Sequence, residues 1–257
     1  MALPFLPPAS LDSSFTISRP TSADIDALVE VYYESFLTDP GNTFWWSPDR
    51  DAMVEWLRER IRTKMVDRNV RHFYVVNQKD RTVVAFARWD IPKGYETQFG
   101  EWADGDDALD VSRVVAEDSA ESTVTAAPVE ETEPAAVRTI AGPRGADPEL
   151  CRRFFAILST LSKKWKAEQM LGLSLLCTSP AYYRRGAAKT LLTPMLALAD
   201  AAGLRSYLEA TPAGRPIYEK LGFRTVEAEE FDLDALTGGE MKGCYKLSIM
   251  IREPQAP

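Results

Sequence analysis

The chain has 257 residues, 45% apolar and 26% charged, room for a sizeable core, and its one histidine and three scattered cysteines exclude a His/Cys zinc cluster and leave any Ser-His-Asp or Cys-His chemistry to His72 alone. The net charge of −8 is local: eleven carboxylates stand between Glu101 and Glu133 against one base, Arg113, so the rest is +2 and lacks the basic face a nucleic acid would need. No stretch approaches the roughly 20 apolar residues of a membrane span and Met1 to Ser10 lacks a signal-peptide pattern, so a reducing, cytoplasmic or nucleocytoplasmic setting is expected, with no membrane partner.

A short strand is expected at Phe15 to Ser18, followed by a helix opened by the capping-box pattern Thr21-x-x-Asp24. Ile25, Leu28, Val29, Tyr32 and Phe36 give that helix one apolar stripe. A second helix is predicted from Ser47 and Pro48, with Met53, Leu57 and Ile61 inward. Between them, Thr38 to Trp46 is a loop holding Asp39 and the pair Trp45-Trp46; adjacent tryptophans pack locally more often than they wall a ligand site. His72 to Asn77 and Thr82 to Trp89 read as a hairpin about Gln78 to Arg81. Lys93 to Asp147 is rich in Ala, Glu, Asp, Thr and Pro without sustained periodicity, and is expected to be an acidic insertion, mobile in part.

Helical spacing returns at Leu150, Phe154, Leu158, Leu161 and Trp165. Leu171 to Cys177 reads as a buried strand, and Gly186 to Ala202 as a helix stopped by Gly203, with a kink expected at Pro194. Leu204 to Ala210 is a further strand, and Thr211-Pro212 caps a short helix from Ala213 to Leu221 closed by Gly222. Phe223 to Leu233 and Gly243 to Ile251 are the last strands, the latter alternating Tyr245, Leu247, Ile249 and Ile251.

The stretch from Leu173 to Ala188 carries the chemistry. A strand feeds a basic, glycine-containing turn that opens a helix, so the N–H groups from Arg184 to Ala188 should converge without intrahelical partners and bind an anion. Arg184 and Arg185 add charge, Gly186 and Ala187 leave room, and a pyrophosphate is the natural guest. A nucleotide P-loop would place glycines where Tyr183 and Ala188 stand before Lys189-Thr190, and no G-x-G-x-x-G precedes an acidic strand end, so neither nucleotide motif is met.

What remains resembles the phosphate-binding motif of the GNAT superfamily, acetyl-CoA-dependent N-acetyltransferases, whose pattern [QR]-x-x-G-x-[GA] is matched at Gly186 and Ala188 but carries Tyr183 in place of Gln or Arg. Glu209-Ala210-Thr211-Pro212-Ala213-Gly214 and Leu221-Gly222-Phe223 resemble later blocks of the family, most of all of its fungal members. The likeness is strong over Leu150 to Ile251 and weak over Phe15 to Asp90. It implies a single N-acetyltransferase domain of α/β (α+β) class: a mixed, mostly antiparallel sheet of six or seven strands, flanked by helices and split into a V between the fourth and fifth. It further implies that Leu176, Cys177 and Thr178 on the fourth strand hold the pantetheine arm of acetyl-CoA, with Tyr183, Arg184, Arg185, Gly186, Ala187, Ala188 and Lys189 at the phosphates, and that no metal takes part.

Acyl transfer needs a base for the acceptor amine, whose pKa lies near 10, and an acid for the leaving thiolate. The resemblance makes Tyr218 the acid. Glu209 is the first choice of base, ahead of Asp90 and Asp39; His72, remote from these in sequence, is expected at the surface. Cys177, on an apolar strand, suits packing better than nucleophilic attack. A small amine is expected over a protein tail as acceptor. The alternatives are a CoA-binding regulatory module without turnover, and an interaction protein using the acidic insertion.

Overall fold

The computed structural model describes residues 3–100 and 142–256. Seven strands, β1 (Phe15–Ser18), β2 (Val70–Asn77), β3 (Val83–Asp90), β4 (Leu171–Thr178), β5 (Ser206–Ala210), β6 (Arg224–Asp232) and β7 (Cys244–Arg252), form one sheet in the order β1-β2-β3-β4-β5-β7-β6. All neighbours pair antiparallel except β4 and β5, which are parallel. The expected mixed sheet of six or seven strands is therefore what forms.

Helices α1 (Ile25–Leu37), α2 (Arg50–Met65) and α3 (Pro148–Lys164) cover one face, while α4 (Ala187–Ala201) and the short α5 (Arg215–Lys220) cover the other. The first face packs Leu28, Met53, Leu57 and Phe154 over Tyr74, Phe86, Leu175 and Leu247; the second packs Leu191, Leu192 and Met195 over Phe73, Val75, Ala87 and Trp89. Central strands are consequently buried on both sides, and in β7 the residues between the predicted apolar positions, Ser248 and Met250, are buried too.

Local chemistry sets the element ends. Thr21 and Asp24 close the capping box: the Thr21 N–H donates to Asp24 Oδ2 at 2.8 Å and the Thr21 hydroxyl to the same oxygen at 2.9 Å. The cap of α2 is Asp49 rather than Ser47, its Oδ1 accepting the N–H groups of Asp51 and Ala52, so the helix starts later than predicted. Asp147 caps α3 in the same way through Glu149 and Leu150. Helix α4 runs unbroken through Pro194 and ends in a Schellman cap, with Gly203 at φ +62°, its N–H on the Asp200 carbonyl and the Leu204 N–H on that of Ala199. After β6 a short helix, α6 (Leu233–Leu236), replaces the predicted end of a strand because Asp232 caps it through the Ala235 N–H.

Most of the predicted insertion, residues 101–141, lies outside the described residues. Its flanks are anchored instead of loose: Phe99 is fully buried, Arg71 donates to the carbonyls of Arg68 and Gly100, and Gly142 abuts Cys151.

The far end of α4 is tied to β7. Arg252 donates to both oxygens of Asp200, at 2.6 and 2.7 Å, and the Gln255 N–H adds a third bond. Burial alone would push the Asp200 carboxyl up, but these donors outweigh it and hold the group below its ordinary value. A carboxyl so lowered stabilises the fold above its unfolded-state pKa and loses that contribution as pH falls through the folded value. Asp200→Asn should lower stability by about 2 kcal/mol at neutral pH, roughly 4–8 °C of melting temperature, and the deficit should shrink below about pH 4. An unchanged melting curve at pH 7 would show that the pair contributes nothing.

Candidate active site

Strands β4 and β5 pair only at Leu171↔Ser206, Gly172↔Tyr207 and Leu173↔Leu208. Beyond Leu173 they part, β4 staying with β3 and β5 with β7. The cause is local. Arg88 faces Leu175 and Trp89 faces Leu173, so Ser174 is an extra residue in β4, a bulge that bends the strand away from its parallel neighbour. Arg88 pins it there, its Nε donating to Ser174 Oγ at 3.0 Å. The expected V therefore exists, and its position is set by one residue.

The open lip of β4 carries backbone groups that β5 does not pair. The Ser179 N–H donates to the Val84 carbonyl on β3, whereas the Thr178 N–H points the other way, to Ser35 Oγ of α1 at 3.3 Å. Alternation along the strand puts the Leu176 N–H on the same open side as that of Thr178. Leu176 and Thr178 line a cavity of about 830 Å³ that fills the split, a size within the usual range of ligand sites.

The glycine turn that opens α4 borders this cavity. Arg184 and Gly186 both adopt left-handed backbone, at φ +65° and +83°, and the first bond of α4 is the Thr190 N–H to the Gly186 carbonyl at 3.1 Å. The N–H groups of Ala187, Ala188 and Lys189 therefore have no intrahelical acceptor, and all three residues line the cavity with Arg184 and Gly186. No atom would lie within 4 Å of a Cβ at Gly186, so the glycine serves backbone conformation and leaves an open cradle. Tyr183 lines the cavity and its hydroxyl shares a hydrogen bond of 2.9 Å with Thr38 at the end of α1.

Two predicted residues are not brought in. Cys177 is absent from the lining: its side chain is buried on the α1 face of the sheet, where its thiol donates to the Phe86 carbonyl at 3.6 Å. Burial raises its pKa, so it is an inert packing group. Arg185 turns its guanidinium over the Tyr182 ring, 5.2 Å from its centroid, outside the cavity lining. Alternation along β4 accounts for the first and the stacking for the second.

Tyr218 comes from α5, whose start is set by Thr211: its carbonyl accepts the Gly214 and Arg215 N–H groups and its hydroxyl oxygen accepts that of Gly214. The helix therefore begins at Arg215 with Pro216 in its first turn, later than the predicted Ala213 and without Pro212. Gly222 and Phe223 close it in a Schellman cap, their N–H groups on the carbonyls of Glu219 and Tyr218, while the Phe223 ring packs 6.0 Å from that of Tyr218. The Leu221-Gly222-Phe223 block is thus the clamp that fixes Tyr218. Its ring is buried, its hydroxyl has no hydrogen-bond partner among the described residues, and burial raises its pKa.

Glu209 borders the cavity from β5, beside the split. Burial raises its carboxyl against the pull of the Tyr207 hydroxyl, which donates to Oε1 at 2.7 Å, and Asp90 raises it further. Asp39 also lines the cavity and is raised by burial, with the Gly41 and Asn42 N–H groups and the Thr211 hydroxyl pulling it down. Asp90 does not reach the lining; one of its oxygens is buried without a partner. His72 is not at the surface. It is buried in β2, where burial and then Arg88, Lys64, Arg19 and Arg71 push its imidazole down to about 3, so it stays neutral.

Sequence reasoning missed the far wall: Tyr32, Phe36, Trp45, Phe154 and Phe155, with Arg60 among them. Only the Trp45-Trp46 pair signalled it, and Trp45 both packs on Phe154 and lines the cavity.

Residues 162–242 match the family model described as acetyltransferase (GNAT) domain, so this stretch, about a third of the chain, is similar to that domain. No curated protein sequence is significantly similar to the chain. Among solved structures, arylalkylamine N-acetyltransferase 2 from Aedes aegypti has 15% identity over 95% of this chain and 100% of its own, with a TM-score of 0.53. The apo form of a mutant agmatine N-acetyltransferase has 10% identity over 94% and 100%, with a TM-score of 0.54. PaiA N-acetyltransferase from Thermoplasma acidophilum, solved with coenzyme A, has 13% identity over 93% and 99%, with a TM-score of 0.47. At these identities the likeness to the first two is one of fold.

The thiols give a direct check on the side of β4 that faces the cavity. Of the three cysteines, Cys151 and Cys177 are buried and Cys244 is exposed. A chromogenic disulfide reagent should titrate one thiol in the native protein and three in denaturant, and prior loading with desulfo-CoA, which has no thiol of its own, should leave the native value unchanged. Rapid native labelling of Cys177 would reverse the assigned face of the strand.

Proposed function

We propose that this chain, an acetyltransferase of the GNAT fold, moves the acetyl group of acetyl-CoA to the primary amine of a small molecule, the amine attacking directly while both substrates are bound. The observation that carries the reading is the convergence on one cavity of a strand lip that β5 does not pair and a helix N-terminus without intrahelical acceptors. The residues fit a coenzyme A thioester. The N–H groups of Ala187, Ala188 and Lys189, with Arg184 and the dipole of α4, would take its diphosphate, and the Leu176 and Thr178 lip would hydrogen-bond its amide-bearing arm as a strand does. That thioester supplies an activated acyl carbon; the rest is done by side chains of this protein.

Glu209 and Tyr218 divide the proton work. A carboxylate raised by burial accepts a proton from an ammonium more readily than a solvated one, and Glu209 stands where β5 leaves the split. Tyr218, protonated at every physiological pH and with its hydroxyl unengaged, would give a proton to the leaving thiolate. The closed aromatic wall favours a small amine over a protein tail.

Gly186→Glu sets a carboxylate on the anion cradle and strains a left-handed position, so the acetyl-CoA dissociation constant should rise more than ~10-fold by calorimetry. Unchanged affinity in a folded variant would refute the cradle. Tyr218→Phe should lower kcat roughly 100-fold with the acetyl-CoA dissociation constant held. Wild-type kcat would return Tyr218 to packing. Because Glu209 is raised, the wild-type rate should climb with pH through an acid limb lying above the ordinary carboxylate value of about 4.3, and Glu209→Gln should remove that limb.

A further inference from the structure

Arg60 stands on α2 and lines the cavity with the aromatic wall, unused by the chemistry above. Its guanidinium is stacked over two rings, 4.9 Å from Trp56 and 5.5 Å from Phe155. Its Nε is sealed from solvent without a hydrogen-bond partner, and among the described residues none of its nitrogens makes a hydrogen bond or ion pair. Tyr32 and Asp90 act on it through space to favour its charge, while Arg88, itself with an unpartnered buried nitrogen, opposes it. Burial accordingly lowers its pKa, though a guanidinium stays charged.

A stacked guanidinium is held flat and rigid, but its N–H donors lie in its plane and gain nothing from the rings. Leaving the sealed Nε donor unmade costs more than making it gains, and the terminal nitrogens border the cavity without a protein partner, so an oxyanion would satisfy the fork. A carboxylate matches the fork in shape, bidentate and planar. The surrounding wall of Tyr32, Phe36, Trp45, Phe154 and Phe155 suits an apolar or aromatic body behind that group.

We propose that the acceptor is an aminocarboxylic acid with an apolar or aromatic body, its amine held near Glu209 and its carboxylate received by Arg60. The assignment rests on the acetyl-transfer reading for the identity of the reaction, and on Arg60 alone for the anion.

Thiol release from acetyl-CoA would be followed with acid and amide pairs: phenylalanine against phenylalaninamide, and para-(aminomethyl)benzoate against para-(aminomethyl)benzamide. In the wild type at least one acid should exceed its amide in kcat/KM by roughly 10-fold to 100-fold. Arg60→Gln, with acetyl-CoA affinity unchanged, should bring that ratio close to one. Arg60→Lys, which keeps charge but loses the fork, should retain only part of it and carries the test if the Gln variant folds poorly. Amides used as well as acids, or a preference that survives both substitutions, would overturn the proposal. If no amine releases thiol, para-(aminomethyl)benzoate would be titrated calorimetrically into the CoA-loaded protein. Binding that needs the carboxylate and is lost in Arg60→Gln keeps the anion site while removing the acetyl-transfer reading; no carboxylate-dependent binding removes both.

Discussion

Everything in this site depends on one interruption of hydrogen bonding. Parallel strands β4 and β5 hold together for three residues and then separate because Ser174 is surplus to its register with β3. Each lip is secured from behind: β4 by β3 and the Arg88–Ser174 contact, β5 by its pairing with β7 through Ala210↔Ser248. Backbone groups left open inside a protein are costly unless water or a ligand meets them. A fold that keeps such groups open, and rigidly so, presents an edge already shaped for an extended amide-bearing guest.

Around that gap the sequence places its signals at helix ends rather than in helix middles. The start of α4 offers amides, the start of α5 is fixed by Thr211, and the same cap that ends α5 locks the Tyr218 ring against Phe223. The Thr38–Tyr183 hydrogen bond joins the end of α1 to the phosphate turn, so the residue that departs from the usual Gln or Arg has a mechanical duty instead of an ionic one. Two carboxylates at the cavity, Glu209 and Asp39, are both raised chiefly by burial, but only Glu209 sits on the strand that forms the lip.

Much of this could be read from residues alone, and the reasons are physical. Amphipathic stripes such as Leu28, Met53 and Leu57 and caps such as Thr21 with Asp24 act over a few residues, so they survive in a linear reading. The glycine turn at Gly186 and the Leu221-Gly222-Phe223 cap are local for the same reason. What stayed hidden is non-local. Cys177 lies in the motif but points away, because a strand presents alternate residues to opposite faces. His72 reads as a polar strand start, yet α2 covers it. The aromatic wall draws on α1, the Trp45 loop, α2 and α3, the last more than 100 residues beyond the first, and no spacing rule links them. The bulge at Ser174 leaves no mark in composition at all.

The order of strands has a consequence for synthesis. β7, made after every other strand of the sheet, is inserted between β5 and β6 and is the only neighbour that holds β5 on the side away from the gap. A nascent chain can assemble β1 to β4 with α1 to α3 early, but one wall of the cleft has nothing to rest on until residues 244–252 leave the ribosome. The cleft therefore takes its full shape only when β7 docks between β5 and β6.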